Sequence, residues 1–235
     1  MIKNPLVRHI ERLELSFAQK PWAFAKERRD AIDAFFEKLR QEKPTVWNGR
    51  VLLMHHQVVA NGVLRGEYLE TDYASFAAWR HWDRPAAGVH DCFGAGAVVS
   101  REGAFLVGVM GPHTTNSGLM YFPCGTPEPR DRVGEKVDLD LSVSRELKEE
   151  TGLDAGEFEA EPGWTMVVDG ALIAQIKVLR SAESAEALRA RVLAHIASER
   201  RPELSDVRIV AKLADIEPAM PRFVTAFLAS RLGQG

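Results

Sequence analysis

Apolar positions along this chain change their period from one segment to the next, and the changes mark out elements. Residues 7–17 alternate, with Leu13, Leu15 and Phe17 on one side, and predict a strand. Between Pro21 and Gln41 the period lengthens. Phe24, Ile32, Phe35, Phe36 and Leu39 recur at helical intervals, and Lys43-Pro44 ends the run. Asn48-Gly49 and Asn61-Gly62 are turn signals that open strands over 51–59 and 63–69. Residues 73–82 predict a short helix carrying Phe76, Trp79 and Trp82, with both tryptophans read as core rather than as a base-stacking platform. Two apolar strands, 93–99 and 104–110, make a hairpin. A polar loop at 111–118 leads to a strand at 119–122 and a turn at Gly125. After a helix come strands at 158–161, 164–168 and 171–179, with Asp169-Gly170 turning between the last two. A helix over 183–199 with Leu188, Val192, His195 and Ile196 inward, a strand at 207–210 and a closing helix at 220–232 complete the order.

Composition narrows the class. At 235 residues, with 46% hydrophobic and 27% charged residues, the chain fits one large globular domain, or a domain of about 150 residues with an extension. A net charge of −3 gives no reason to expect a nucleic-acid partner or an anionic membrane surface. Cys92 and Cys124 form no disulfide framework and no zinc-ligand spacing. Lys3, Arg8, Glu11 and Arg12 interrupt the N-terminus, so no signal peptide is expected there. No apolar run reaches the ~20 residues of a membrane span. The expected location is cytoplasmic.

The informative helix is the one after Gly125. Leu139, Val143 and Leu147 give it an apolar stripe at intervals of four. Glu146, Glu149 and Glu150 lie at i, i+3 and i+4 and share one face, spanning roughly 100°. Like charges so spaced cost about 0.2–0.5 kcal/mol per pair. Glu146 and Glu150 also fall beside or within the apolar stripe, where uncompensated charge costs more. Lys148 points away, and Arg145 can pair with Glu149. Asp138 or Asp140 can cap the helix start, and Gly152 stands where its end needs a left-handed residue. A solvated acidic face is the plain reading. Converging carboxylates instead suit a hard divalent cation with oxygen ligands.

The string Arg145-Glu146-Leu147-x-Glu149-Glu150-x-Gly152-Leu153 resembles the second half of the Nudix box. That family hydrolyses diphosphates linked to another moiety, with magnesium or manganese. The first half of the box departs from the pattern, since Asp131 and Val137 stand where the family has Gly and Glu. Gly125, in Tyr-Phe-Pro-Cys-Gly-Thr-Pro, is the equivalent glycine, which implies about six extra residues before the helix. Glu135 and Asp138 are the nearest substitutes for the missing Glu. The resemblance implies an α/β fold, a Nudix-type α/β/α sandwich, here with an N-terminal α/β extension. It implies Mg2+ or Mn2+ held by Glu149 and Glu150, with Glu146 as ligand or base-like partner and Arg145 orienting them.

Other candidates are weaker. His113 and Asn116, in the polar loop, are expected near substrate. Glu203, with Asp206 as rival, is the candidate for a further carboxylate from a late loop. Glu128 and Asp131, after Gly125, are candidates for touching metal or substrate, while single arginines such as Arg80 and Arg84 carry little signal. His55, His56 and His195 read as residues with satisfied hydrogen bonds. The expected organisation is residues 1–85 as an extension packed on a Nudix domain at 86–235. The expected partner is a small-molecule diphosphate (a nucleotide sugar, a dinucleotide or a coenzyme A derivative), and a homodimer is allowed. The alternative is a Nudix-fold nucleotide sensor that does not cleave.

Overall fold

Alternation and helical spacing resolve into fourteen strands and six α-helices across residues 4–44 and 46–233, the part of the chain described by a computed structural model. Lys3 lies outside the described residues. In chain order the elements are β1 (Leu6–Ile10), β2 (Arg12–Phe17), α1 (Ala23–Glu27), α2 (Arg29–Glu42), β3 (Arg50–Ala60), β4 (Val63–Asp72) and α3 (Tyr73–His81). Then follow β5 (Asp91–Val99), β6 (Phe105–Met110), β7 (Met120–Tyr121), β8 (Cys124–Gly125), β9 (Arg132–Val133), β10 (Lys136–Val137) and α4 (Leu139–Thr151). The last are β11 (Glu159–Ala160), β12 (Trp164–Asp169), β13 (Leu172–Arg180), α5 (Ala185–Ser198), β14 (Leu204–Val210) and α6 (Arg222–Leu232).

The described residues fall into two compact units, and neither follows a single cut after residue 85. One comprises residues up to Arg12 together with Phe93–Gly125 and Leu139–Gly235, and the other Leu13–Cys92 with Thr126–Asp138. The run 7–17, expected as one strand, breaks at Glu11. Its first half pairs with β12, and its second half joins the sheet of the other unit. No glycine or proline marks the break, so alternation alone runs straight through it.

In the first unit the sheet runs β1-β12-β13-β5-β6-β14, with β7, β8 and β11 as short side partners. Alternation sorts its side chains onto two helical layers. Phe93 meets Phe223 of α6 edge-on at 5.5 Å, and Phe105 and Phe122 close on Phe227 at 5.5 and 5.3 Å. The intervening residues face the other way. A Cβ on Gly94 would stand 2.8 Å from Val143 of α4 and 3.1 Å from the Leu139 carbonyl. Leu106 and Gly108 share a small apolar void with Leu147 and Thr151 of α4 and Val192 of α5. With α6 on one face and α4 and α5 on the other, this unit is an α/β/α sandwich.

The second unit has its own sheet, ordered β3-β4-β2-β10-β9. Asn61 and Gly62, at φ of 50° and 72°, make the two-residue turn that joins β3 to β4 in antiparallel register. Ile32 and Phe36 of α2 pack with Ala74 and Ala78 of α3, and Phe24, Phe35, Leu39 and Trp82 close over them. The predicted helix 21–41 is two helices parted at Arg28, whose dihedrals (−107°, 15°) leave the helical range. Trp79 is wholly buried and donates its indole N–H to the Pro85 carbonyl. The extra residues between Gly125 and α4 form β9 and β10, and Lys136 pairs with Ser16 of β2.

Deleting residues 1–85 therefore strips β1 from one sheet and β2, β3 and β4 from the other. The 86–235 fragment is expected to aggregate or to lose several kcal/mol of stability. Solubility and thermal unfolding of the fragment check this, and a soluble fragment with an unchanged melting temperature would refute it.

Candidate functional site

The site is built on α4, which lies close on β5 because Gly94 and Gly96 present no side chain to Val143. Its glutamates are not equivalent. Glu149 is half-exposed at its side chain (49%), Glu146 is largely covered (13%) and Glu150 is buried (4%). Glu150 lies on the side of the helix that carries Val143 and Leu147, which is why its carboxylate is drawn under the helix. The Cys124 amide donates to Glu150 Oε1 at 3.1 Å, whereas Oε2 is buried with no protein partner. Burial first, then the charges of Glu146 and Glu203, push the Glu150 carboxyl well above the usual carboxylate range; the Cys124 amide opposes them.

Arg145 serves two carboxylates rather than the one expected. Its guanidinium donates to Glu146 Oε1 at 2.8 Å and to Glu149 Oε2 at 3.2 Å. Even so, burial lifts Glu146 to about 7, Arg145 opposing and Glu149 and Glu203 reinforcing. Gly125, opposite in β8, is where the glutamate needs room. A Cβ there would collide with Glu146 Oε1 and stand 2.6 Å from its Cδ.

The late-loop candidates separate cleanly. Asp206 is engaged by Arg189 at 3.0 Å, by Arg208 at 3.3 Å and by the Val207 amide at 2.8 Å. Glu203 instead acts on Glu146 and Glu150, and its carbonyl accepts from the Gly111 amide at 2.7 Å. Burial and then Glu149 raise the Glu203 carboxyl, against the opposing charge of His113. The residue as a whole is exposed, so solvent screens this shift. His113 thus belongs with Glu203. Asn116 donates its amide to the Tyr121 hydroxyl at 2.9 Å, a bond from the loop to β7, the strand that follows it.

The candidates after Gly125 belong to the other unit and have local partners there. Glu128 and Asp131 cap the short turn between them, Glu128 also accepting from Arg130 at 2.8 Å. Val137 is buried, and Asp138 accepts from Lys136 at 2.6 Å. In that unit, too, His55 approaches Glu67 at 2.9 Å, and Arg80 and Arg84 act on the buried Asp91. Sequence reasoning missed the Cys124 amide, which is a main-chain group that no residue type announces. It also missed the fully buried Gln175, whose amide has no protein partner.

Among the described residues, no three His, Cys, Asp or Glu side chains are gathered at ligating distance as they stand. No helix of the described residues is long and apolar enough to cross a membrane.

No protein-family model matches the chain, and no curated protein matches it. Among solved structures it is similar to a Nudix hydrolase from M. smegmatis, at 15% identity over 62% of this chain and 84% of that one, with a TM-score of 0.38. It is similar also to the MutT protein of Methanosarcina mazei Go1 (16% identity, 62% and 94% covered, TM-score 0.40). A third is a bifunctional NMN adenylyltransferase/ADP ribose pyrophosphatase from Francisella tularensis complexed with AMP and a manganese ion, at 14% identity, 68% and 46% covered, TM-score 0.42. Identities and scores this low carry no activity across.

The raised carboxyls set a pH dependence of stability. A folded pKa above the unfolded value means the native state holds its proton longer. The contribution from Glu146 is complete below about 4.5 and is lost as pH rises through about 7. It amounts to up to about 3 kcal/mol. In EDTA, the melting temperature is expected to fall between pH 5 and pH 8, and Glu146→Gln to flatten the fall. An equally steep profile in the variant would assign the effect elsewhere.

Proposed function

We propose that this chain is a metal-dependent hydrolase of the Nudix kind, cleaving a diphosphate linkage in a nucleoside diphosphate derivative such as a nucleotide sugar, a dinucleotide or a coenzyme A-like compound. The observation that carries this is the buried Oε2 of Glu150, a carboxylate oxygen without a protein partner among three further carboxylates. Such a donor set fits Mg2+ or Mn2+. Glu150, Glu149 and Glu146 would hold the ion, which supplies neutralisation of phosphate charge and acidification of a bound water. The string at 145–153 points the same way.

The chain's own groups then have distinct tasks. The Cys124 amide fixes one oxygen of Glu150, and the other is buried without a protein partner. Arg145 holds Glu146 and Glu149 in place through charge-assisted bonds. Gly125 leaves the space that the Glu146 carboxylate fills. Glu203, whose carbonyl is tied to Gly111 beside the cluster and whose carboxyl is raised by burial and Glu149, is the candidate acceptor for a proton from water. His113 modulates that carboxylate and, with Asn116, comes from the loop proposed to face substrate.

Glu150→Gln keeps the shape of the side chain and removes its charge. With magnesium and a panel of diphosphate substrates, it is expected to lower turnover by about 100-fold or more, with EDTA abolishing the wild-type rate. Wild-type turnover that survives EDTA would refute the metal role. Tight nucleotide binding without turnover would favour a sensor.

Gly125→Ala should displace the Glu146 carboxylate. The expected result is at least a tenfold loss of kcat, on the order of 1.4 kcal/mol, in a folded protein. A fully active variant would separate Glu146 from the reaction.

A further inference from the structure

We infer that His195, on α5, is a positioning residue that holds the carboxylate-bearing end of α4 in register; this rests on the metal-dependent reading above. The last carbonyls of a helix have no intrahelical partner. In α4 the Lys148 carbonyl accepts from the Gly152 amide at 3.0 Å, and the Leu147 carbonyl accepts from the Thr151 hydroxyl. The Glu149 carbonyl is met from outside the helix, by His195 Nε2 at 3.2 Å. This contact requires the ring proton on Nε2.

A second observation, independent of that bond, puts the same ring on the same turn. Gly152 has φ of 72°, and a Cβ there would stand 2.8 Å from both Cγ and Nδ1 of His195. The imidazole is therefore seated against the bare Cα of the residue that ends the helix. Gly152 is required twice over, once for its left-handed backbone and once for the space the ring occupies. Glu149 and Glu150 project from the turn that is clamped in this way. If the turn frays, both carboxylates move together, and the Glu150 oxygen loses its fixed relation to the Cys124 amide.

Half-buried at its helix position, His195 contributes little core, so its loss is expected to act on the site more than on the fold. The test uses the full-length chain and Mn2+ alone, following the free-ion electron paramagnetic resonance signal. His195→Phe keeps a ring against Gly152 but removes the donor, and is expected to weaken Mn2+ binding about tenfold. His195→Gln keeps a side-chain N–H and should restore most of it. In turnover, the metal concentration for half-maximal rate should rise in His195→Phe, while KM at saturating metal stays within about twofold. Should the Phe variant misfold, His195→Ala repeats the measurement with a residue that suits a helix. Equal Mn2+ binding by wild type, Phe and Ala variants would overturn the role of His195 and leave the metal reading standing. Failure of the wild type itself to bind Mn2+ would overturn both.

Discussion

The site depends on one electrostatic constraint: the carboxylate of Glu150 is buried beneath its helix with a single backbone amide as donor. Burying such a group costs several kcal/mol when it is charged and unpaired. The Arg145 guanidinium is bonded to Glu146 and Glu149. Burial and the neighbouring carboxylates act against the charged form of Glu150, a conflict that raises its carboxyl well above the usual range and that of Glu146 to about 7. A divalent cation would settle the same conflict differently, and that is the physical link between this geometry and the proposed activity.

Holding the conflict in place requires a close fit of α4 to its sheet. Gly94 and Gly96 let the helix approach β5, Gly125 makes room for Glu146, and Gly152 makes room for His195. Each of these glycines faces a particular neighbour rather than open solvent. Leu139, Val143 and Leu147 provide the burial that keeps the helix seated despite the like-charge repulsion beside that stripe.

The path of the chain is less simple than its elements. Between Gly125 and α4 the backbone leaves the sandwich, contributes β9 and β10 to the other sheet, and returns. The stretch that departs from the Nudix box is thus structural in its own unit. Val137 is buried there, and Asp131 and Glu128 cap a turn. These acidic residues, with Asp138, have local partners there.

The sequence by itself determined the order of the longer elements, though not β9 and β10 between Gly125 and α4, and it determined the helix that carries the glutamates, the shared face of Glu146, Glu149 and Glu150, and the stop at Gly152. All of these follow from local periodicity and backbone preference, which act over a few residues. The break at Glu11 and the parting of the helix at Arg28 escaped it, because no residue type marks either. The ranking of the three glutamates was half legible, since the helical wheel put Glu150 near the apolar stripe but not how deeply it would be buried. Tertiary structure alone decided that the Cys124 amide meets Glu150, that Glu203 rather than Asp206 acts on the cluster, and that His195 seats on the helix end. Those contacts join residues 26, 46 or more positions apart. Only the packing of sheet and helices, which sums weak preferences over the whole unit, can bring such residues together.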